Sequence, residues 1–461
     1  MKLLLTASSI SLCLYSICQA AEPLILSKEE AMTRALERNL GIKIERARVD
    51  IAEQGVVLEK GAFDPDISAS FTSESSNNQS TDSVAVALDG LVATGGTYSV
   101  GVSSNESFVN DDRFNSFAGI TFRQPLLRNF GFTANLAALR IAHYQFDLSE
   151  WEYKQLLLDT LAFTIFAFND LYEAQKRLES SMRIRDLTNQ TVLDDEKRIE
   201  LGAIARLDIF QSQAQLASRE DRVLSDTIAV ARAQNRIKQL IFDNAEEALS
   251  YDLEAQFYTE PEVTDEFRFY LSSLLENSPS YHIGEIALEI ARLRMAREKN
   301  QTLPSLDLIA QMGFSGTGGS LGGGIESAFS GDNDSYSLGA SFRFPVMNRS
   351  ARAREAMAYQ RERIAEVDLE SIKQAIQLEF YTSFQIMQTN FKRIDTTRLA
   401  RELAERSLSA EEKKLNAGTS STFRVLRLLS DLAGVELQEI SVIANYNRSV
   451  ADFNRLRGVL E

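Results

Sequence analysis

Phe122-Arg123-Gln124-Pro125 and Phe342-Arg343-Phe344-Pro345 each close a strand-like segment and open a long tract, 126–260 and 346–461, with no proline and almost no glycine. Proline interrupts helices and glycine weakens them, so each tract reads as long, uninterrupted helix. The repetition of the four-residue motif makes the chain an internal duplication. Working outward, adding 239 to Leu36, Glu37, Ile44, Ala52 and Pro65 gives Leu275, Glu276, Ile283, Ala291 and Pro304. Adding 216 to Phe168, Lys176, Arg177, Leu187, Glu196, Lys197 and Gly202 gives Phe384, Lys392, Arg393, Leu403, Glu412, Lys413 and Gly418. At the motif itself the offset is 220, so the strand region of the second half is shorter by 19 residues.

The helical tracts are unusually long. From about Ala134 to Glu200 a helix at 1.5 Å per residue would extend on the order of 100 Å. Gly202 marks a turn, and Leu207 to Ile241 returns. The second half repeats this from Ala351 to Leu415, turns at Asn416-Ala417-Gly418 and returns from Thr422 to about Leu456. Before each tract lie short segments of period two, the spacing of a strand with one apolar face. Ile67, Ala69 and Phe71 alternate with Ser68, Ser70 and Thr72; Val84, Val86 and Leu88, then Tyr98, Val100 and Val102, then Ala118, Ile120 and Phe122 continue the pattern. In the second half Leu306, Leu308, Ala310 and Met312 form one strand face, and Tyr336, Leu338, Ala340, Phe342 and Phe344 another. The Gly- and Ser-rich stretch between them, 315–334, is expected as a surface loop.

Ser27-Lys28-Glu29-Glu30 is a capping box opening a helix to about Asn39, with a break permitted at Gly41 and a second helix to about Lys60. Residues 1–20 carry Lys2, an apolar run and the ending Cys18-Gln19-Ala20, the pattern of a cleaved signal peptide. Both cysteines, Cys13 and Cys18, fall there, so disulfide and thiolate chemistry are not expected. Attachment of lipid at Cys18 is the alternative, disfavoured by bulky Ile17 before it. The net charge of −16 argues against nucleic acid as a partner. No stretch approaches the roughly 20 apolar residues of a spanning helix.

Two histidines on separate helices, His143 and His282, leave little material for a triad or metal cluster, and Gly322-Gly323-Gly324 lacks the lysine and hydroxyl residue of a phosphate loop. No enzyme activity and no cofactor are expected. Phe163, Phe166, Phe168 and Tyr172, with Phe380, Tyr381, Phe384 and Phe391, read as packing between helices rather than a ligand box.

On periodicity alone a soluble β-sandwich would show the same alternation. A barrel in lipid needs hydrocarbon only outside and water within. Four to six strands cannot close such a barrel, and an open sheet edge in hydrocarbon leaves backbone groups unsatisfied, so closure would require several copies. The expectation is an α+β membrane channel: four strands per protomer and twelve in a trimer, or six and eighteen if the pair from Ser83 to Ser104 enters the wall, joined to a long α-helical barrel. The first repeat covers 21–260, with strands in 66–124 and a helical hairpin in 133–241. The second covers 261–461, with strands in 305–344 and a hairpin in 349–458.

Leu26-Ser27-Lys28-Glu29-Glu30-Ala31, Ala35-Leu36-Glu37-Arg38-Asn39, Phe63-Asp64-Pro65-Asp66 and Gln124-Pro125-Leu126-Leu127-Arg128-Asn129-Phe130-Gly131 resemble the TolC family of outer-membrane efflux and secretion channels. Leu275-Glu276-Asn277-Ser278-Pro279 and Leu303-Pro304-Ser305-Leu306 extend the resemblance to the second half. It implies a homotrimer in the outer membrane with its helices in the periplasm, fed by a periplasmic adaptor protein and an inner-membrane pump of efflux or ABC type. It also implies adaptor contact at the hairpin tips, here Leu201, Gly202 and Ala203, and Ala417, Gly418 and Thr419. The periplasmic aperture would carry Asp208, Arg424 and Arg427. Well-known members place acids at the second tip, so an arginine-lined entrance, paired in part with Asp208, is expected here. The competing class is a periplasmic coiled-coil structural or adaptor protein that enters no membrane.

Overall fold

The computed structural model describes residues 22–76, 79–107, 113–200, 208–263, 270–271, 273–331, 333–417, 419–420 and 422–459. The signal peptide expected over 1–20 lies outside the described residues. In chain order the elements are β1 (Glu22–Leu26), α1 (Lys28–Arg38), α2 (Leu40–Lys60), β2 (Asp66–Ser76), β3 (Gln79–Leu91), β4 (Thr97–Ser107), β5 (Arg113–Pro125), α3 (Phe132–Asn135), α4 (Ala137–Glu200) and α5 (Asp208–Ile241). There follow α6 (Ala245–Ser250), β6 (Tyr251–Ala255), α7 (Leu274–Asn277), α8 (Pro279–Gln301), β7 (Ser305–Gly318), α9 (Leu321–Phe329), β8 (Asp334–Arg343), α10 (Arg349–Asn416) and α11 (Thr422–Arg457). They divide into two compact units, each assembled from separate stretches of the chain.

One unit comprises residues 1–46, 152–279 and 373–461. The side chain of Ser27 accepts from the Glu30 amide and starts α1, as the capping box predicts. The break after α1 falls at Asn39 rather than Gly41. Its Oδ1 accepts from the amides of Gly41 and Ile42, so Asn39 ends one helix and caps the next. Residues 22–26 and 251–255 pair as a two-stranded parallel sheet over the core formed by Leu26, Ala35, Phe168, Leu171, Ile237, Ile241 and Leu253.

The same unit packs the long helices together. Phe453 of α11 stacks on Phe380 at 5.0 Å and tilts against Phe384 at 5.8 Å, and both rings of α10 are buried. The expected aromatic packing holds for these and for Phe168, while Phe163 and Tyr381 stay exposed. Asn447 of α11 donates to Asn169 of α4 and to the Tyr258 carbonyl, and its own oxygen accepts from the Glu260 amide. Asn169 also donates to the Tyr258 hydroxyl at 2.8 Å. A buried amide network therefore ties residues 258–260 to α4 and α11, with every named polar atom partnered. Burial pushes the Tyr258 phenol well above its ordinary range.

The other unit comprises 47–151 and 280–372. Its centre is an antiparallel sheet in the order β2-β3-β4-β5-β7-β8, six strands among the described residues. The expectation of four strands per protomer is thereby corrected to the six-strand alternative. The hairpin of β3 and β4 enters the wall because it continues the same alternation, with Val86 paired to Val102 and Leu88 to Val100. Four of these strands precede the first long helix, and two lie between Ser305 and Arg343. Gly95, with φ +91°, makes the tight β3–β4 turn, closed by Val92 and Gly96.

Both Phe-Arg-x-Pro strands leave the sheet through an asparagine in left-handed backbone, Asn129 (φ 63°) and Asn348 (φ 42°). Asn129 is held by Asn300 and Gln301, and Asn348 donates to the Thr302 carbonyl. Asparagine tolerates that region better than other non-glycine residues, which suits a sharp exit from strand into helix.

The stretch 315–334 is a surface loop only in part. β7 continues to Gly318, and α9 forms with Ser320 as its cap, the hydroxyl accepting from Gly323. Glycine-rich composition hid this helix, because its stability comes from packing rather than from propensity.

Candidate functional site

Strand alternation sorts the sheet into two faces with different chemistry. One carries Ile67 and Phe71 of β2, Val86 and Leu88 of β3, Val100 and Val102 of β4, Ile120 and Phe122 of β5, Met312 and Phe314 of β7, and Tyr336, Leu338 and Phe342 of β8. These apolar side chains are largely uncovered: Tyr336 is 85% exposed, Leu338 75%, Ile67 73% and Met312 69%. A contiguous bare apolar face of this extent marks a surface made for a non-aqueous neighbour.

The opposite face is small and polar. One row across it reads Ala87, Gly101, Gly119, Gly313, Ser335, and the next reads Asp89, Ser99, Thr121, Gln311, Ser337. A Cβ added at Gly101, Gly119 or Gly313 would fall 2.3–2.4 Å from a carbonyl oxygen of the neighbouring strand. The Phe117 ring spreads over Gly119 and Gly313. A glycine row of this kind lets a sheet coil tightly, with the glycines on the inside of the bend. On this face Ser68 donates to Asp89 at 2.8 Å, and Arg123 pairs with Asp307 at 3.0 Å.

The six strands hold 10 to 14 residues. A tilted strand needs about 9–11 to cross hydrocarbon. The two edges, β2 and β8, each have one neighbour among the described residues. Among these residues no helix is long and apolar enough to cross a membrane, and no group of potential metal ligands is found.

The second candidate region, in the helical unit, is the tip of the second hairpin. The Thr419 amide and hydroxyl both donate to the Lys414 carbonyl, at 2.9 and 3.1 Å, and the Ala417 amide donates to Lys413. Glu411 gathers the turn: Ser420 donates to it at 2.5 Å, Lys414 pairs at 3.2 Å and Arg424 lies at 3.9 Å. The Ser420 hydroxyl and the Lys414 ammonium hold the Glu411 carboxyl below the usual carboxylate range. Sequence reasoning missed Glu411; its spacing of three from Lys414 was the only available signal, since the Ser420 contact spans the turn.

Arg424 is thus turned toward its own hairpin, with its side chain 70% exposed. Arg427 is exposed and shares with Arg219, Gln215, Thr188 and Asp431 a crevice of about 200 Å³ between the two hairpins. Asp208 opens α5, but its side chain lies outside the described set, as do Leu201, Gly202, Ala203 and Gly418. His282 of α8 stacks on Trp151 at 4.1 Å and contacts Glu285, and His143 lies on α4.

Comparison with known proteins adds a further finding. The sequence profile of the family described as "Outer membrane efflux protein" matches residues 31–241 and 270–459. "Outer membrane efflux protein BepC" of Brucella suis biovar 1 is 21% identical over 428 residues, covering 90% of this chain and 83% of that protein. Among solved structures, the CmeC outer membrane channel of Campylobacter jejuni superposes with a TM-score of 0.72 at 14% identity, over 94% of this chain and 85% of that one. The outer membrane protein VceC of Vibrio cholerae gives 0.70 at 17% identity, over 94% and 96%.

Proposed function

The chain belongs to the outer membrane efflux protein family, whose members are channels rather than enzymes, and on that premise we propose that it works as a homotrimer whose copies complete one transmembrane barrel. It resides in the outer membrane with its helical part in the periplasm. In this reading the apolar face meets lipid, the small polar face lines water, and β8 of one copy pairs with β2 of the next. All six strands alternate in direction, so that closure is antiparallel throughout. Three copies of a six-stranded sheet give eighteen strands, the size at which barrels leave an aqueous channel.

The channel receives its cargo from a periplasmic adaptor and an inner-membrane efflux or ABC-type pump and passes it to the cell exterior, in efflux or type I secretion. The adaptor meets the hairpin tips around Leu201, Gly202 and Ala203 and around Ala417, Gly418 and Thr419. The aperture is formed by Asp208, Arg424 and Arg427, where three copies of each arginine favour anions. Residues 1–20 direct export, and the repeats 21–260 and 261–461 each supply part of the wall and one hairpin.

The observation that carries the reading is the sheet: one bare apolar face, one small polar face and two edges unpaired among the described residues. Lipid and neighbouring copies answer both needs together. The test is reconstitution of the purified protein in planar bilayers. Steps of conductance from a trimer, with ion selectivity altered in the Arg424→Ala, Arg427→Ala double variant, are expected. Conductance without any change of selectivity would remove the arginine-lined aperture, and absence of conductance would remove the channel.

A further inference from the structure

The helix α9 sits on the apolar face of the sheet, and its seat is built for it. A Cβ on Gly316 would lie 2.2 Å from the Ala328 amide nitrogen, one on Gly318 2.4 Å from the Gly324 nitrogen, and one on Gly324 2.6 Å from the Ser116 hydroxyl. Glycines on both sides therefore allow backbone to approach backbone, with Gly324 and Ala328, one turn apart, forming the buried stripe of the helix. Beneath it Ser116 donates to Ser104 at 2.8 Å, and these two serines are 4% and 0% exposed. They lie on the face otherwise occupied by Val84, Val102 and Ala118. A hydroxyl pair open to hydrocarbon would be costly, and α9 covers it.

From its end the helix projects Phe329, 68% exposed, over the sheet. Ring and strands enclose a groove of about 590 Å³ whose walls include Val86, Leu88, Val100, Val102 and Ile120. Among the described residues no charged side chain lines it. The groove is continuous with the lipid-facing surface. It reaches from Phe314 and Phe329 past mid-strand to Ile67 and Leu88, while α9 itself lies toward the end of the sheet where β2–β3, β4–β5 and β7–β8 connect, opposite the ends that lead into helices. In an outer-membrane channel that end is the external one. Water in such a groove would find no hydrogen-bonding partner, and an empty groove would forfeit its dispersion contacts.

We propose that α9 and the strands beneath it form a lipid-binding groove that holds the acyl chain of a lipid of the outer leaflet, with Phe329 closing over the chain. The proposal rests on the reading that the apolar face meets the membrane. One apolar tail of a bilayer lipid fits this lining, whereas a water-soluble ligand with polar groups would leave them unpaired.

Two measurements on the full-length protein test it. In the first, Phe329→Trp is reconstituted into phosphatidylcholine vesicles whose acyl chains are brominated at mid-chain. Most of the added tryptophan emission, taken as the difference from the wild-type protein with its single Trp151, should be quenched. Emission untouched by the bromines, in protein that still conducts, would place α9 in water and overturn the proposal while leaving the channel standing. In the second, lipid retained by the protein after extraction from outer membranes and detergent exchange is counted by native mass spectrometry. Ala118→Phe, which fills the groove floor, should lose the retained lipid while keeping the oligomer and its conductance. Equal retention in that variant would also overturn the proposal. The tryptophan arm needs no groove-filling substitution, so misfolding of Ala118→Phe leaves a decisive result. Failure of both proteins to co-fractionate with membrane would instead count against the channel reading itself.

Discussion

Replacing Leu338 by arginine puts the two-faced sheet to a quantitative trial. Leu338 is the fifth of ten residues in β8, so it stands about 14–17 Å along the strand from either end, near mid-depth of the hydrocarbon. It is 75% exposed on the apolar face, beside Ala310 of β7, with nothing polar opposite. Arginine at that depth on the lipid face costs about 2–4 kcal/mol, roughly a 30- to 1,000-fold fall in the folded ratio. Ser337 is its immediate neighbour, paired with Gln311 on the small polar face. There an arginine remains in water, and the expected change is within about 0.5 kcal/mol. The assay is denaturant unfolding of each variant refolded into vesicles, read by loss of sheet signal, with conductance measured in parallel. Leu338→Arg should lower the midpoint strongly without altering selectivity. Ser337→Arg should leave the midpoint nearly in place and shift selectivity toward anions. Equal destabilisation by both, or the reverse order, would refute the assignment of faces.

Three further outcomes follow from the helical unit. Phe453→Ala empties the space between Phe380 and Phe384 and should cost about 3–5 kcal/mol, measured as a lowered unfolding midpoint. Asn447→Ala strands the Asn169 oxygen and the Tyr258 carbonyl in a buried site, at about 1–3 kcal/mol, and should raise hydrogen exchange along 251–263. The lowered carboxyl of Glu411 makes the second hairpin tip acid-sensitive. Because its folded value lies below the ordinary 4.5, its contribution is complete above that value and is lost as pH falls through the folded one. Exchange at Ala417 and Thr419 should therefore rise on acidification below the ordinary carboxylate range, and Glu411→Gln should remove that dependence.

The long helices and the alternating faces were readable because they run over many residues, and periodic patterns average out local exceptions. Ser27 acted as read, since a capping box is a local device. What escaped depended on distant partners. The five residues of β1 and of β6 are too short to declare themselves, although Tyr251, Leu253 and Ala255 do alternate with acids, and their pairing joins segments more than two hundred positions apart. The helix α9 hid in glycines that weaken it alone yet allow it to dock. Six strands rather than four turned on whether β3 and β4 join the wall, which register settles and composition does not. At the tip, Arg424 was expected at the aperture, and its approach to Glu411 across the turn was invisible in spacing. The competing periplasmic coiled coil would have shared the hairpins but has no use for a bare apolar sheet, and membership of the outer membrane family sets it aside.

Closure between copies can be probed directly with paired cysteines on the two sheet edges. Both native cysteines, Cys13 and Cys18, precede the first strand, so Ser68, Ser70 or Thr72 of β2 can be combined with Ser337, Gly339 or Ser341 of β8. A disulfide needs Cα atoms within roughly 4.4–6.8 Å, a spacing that neighbouring strands supply and distant edges do not. Oxidation in native outer membranes should give covalent dimers and trimers for one register of pairs and not for those shifted away from it. Monomers in every combination would contradict a barrel sealed by identical chains.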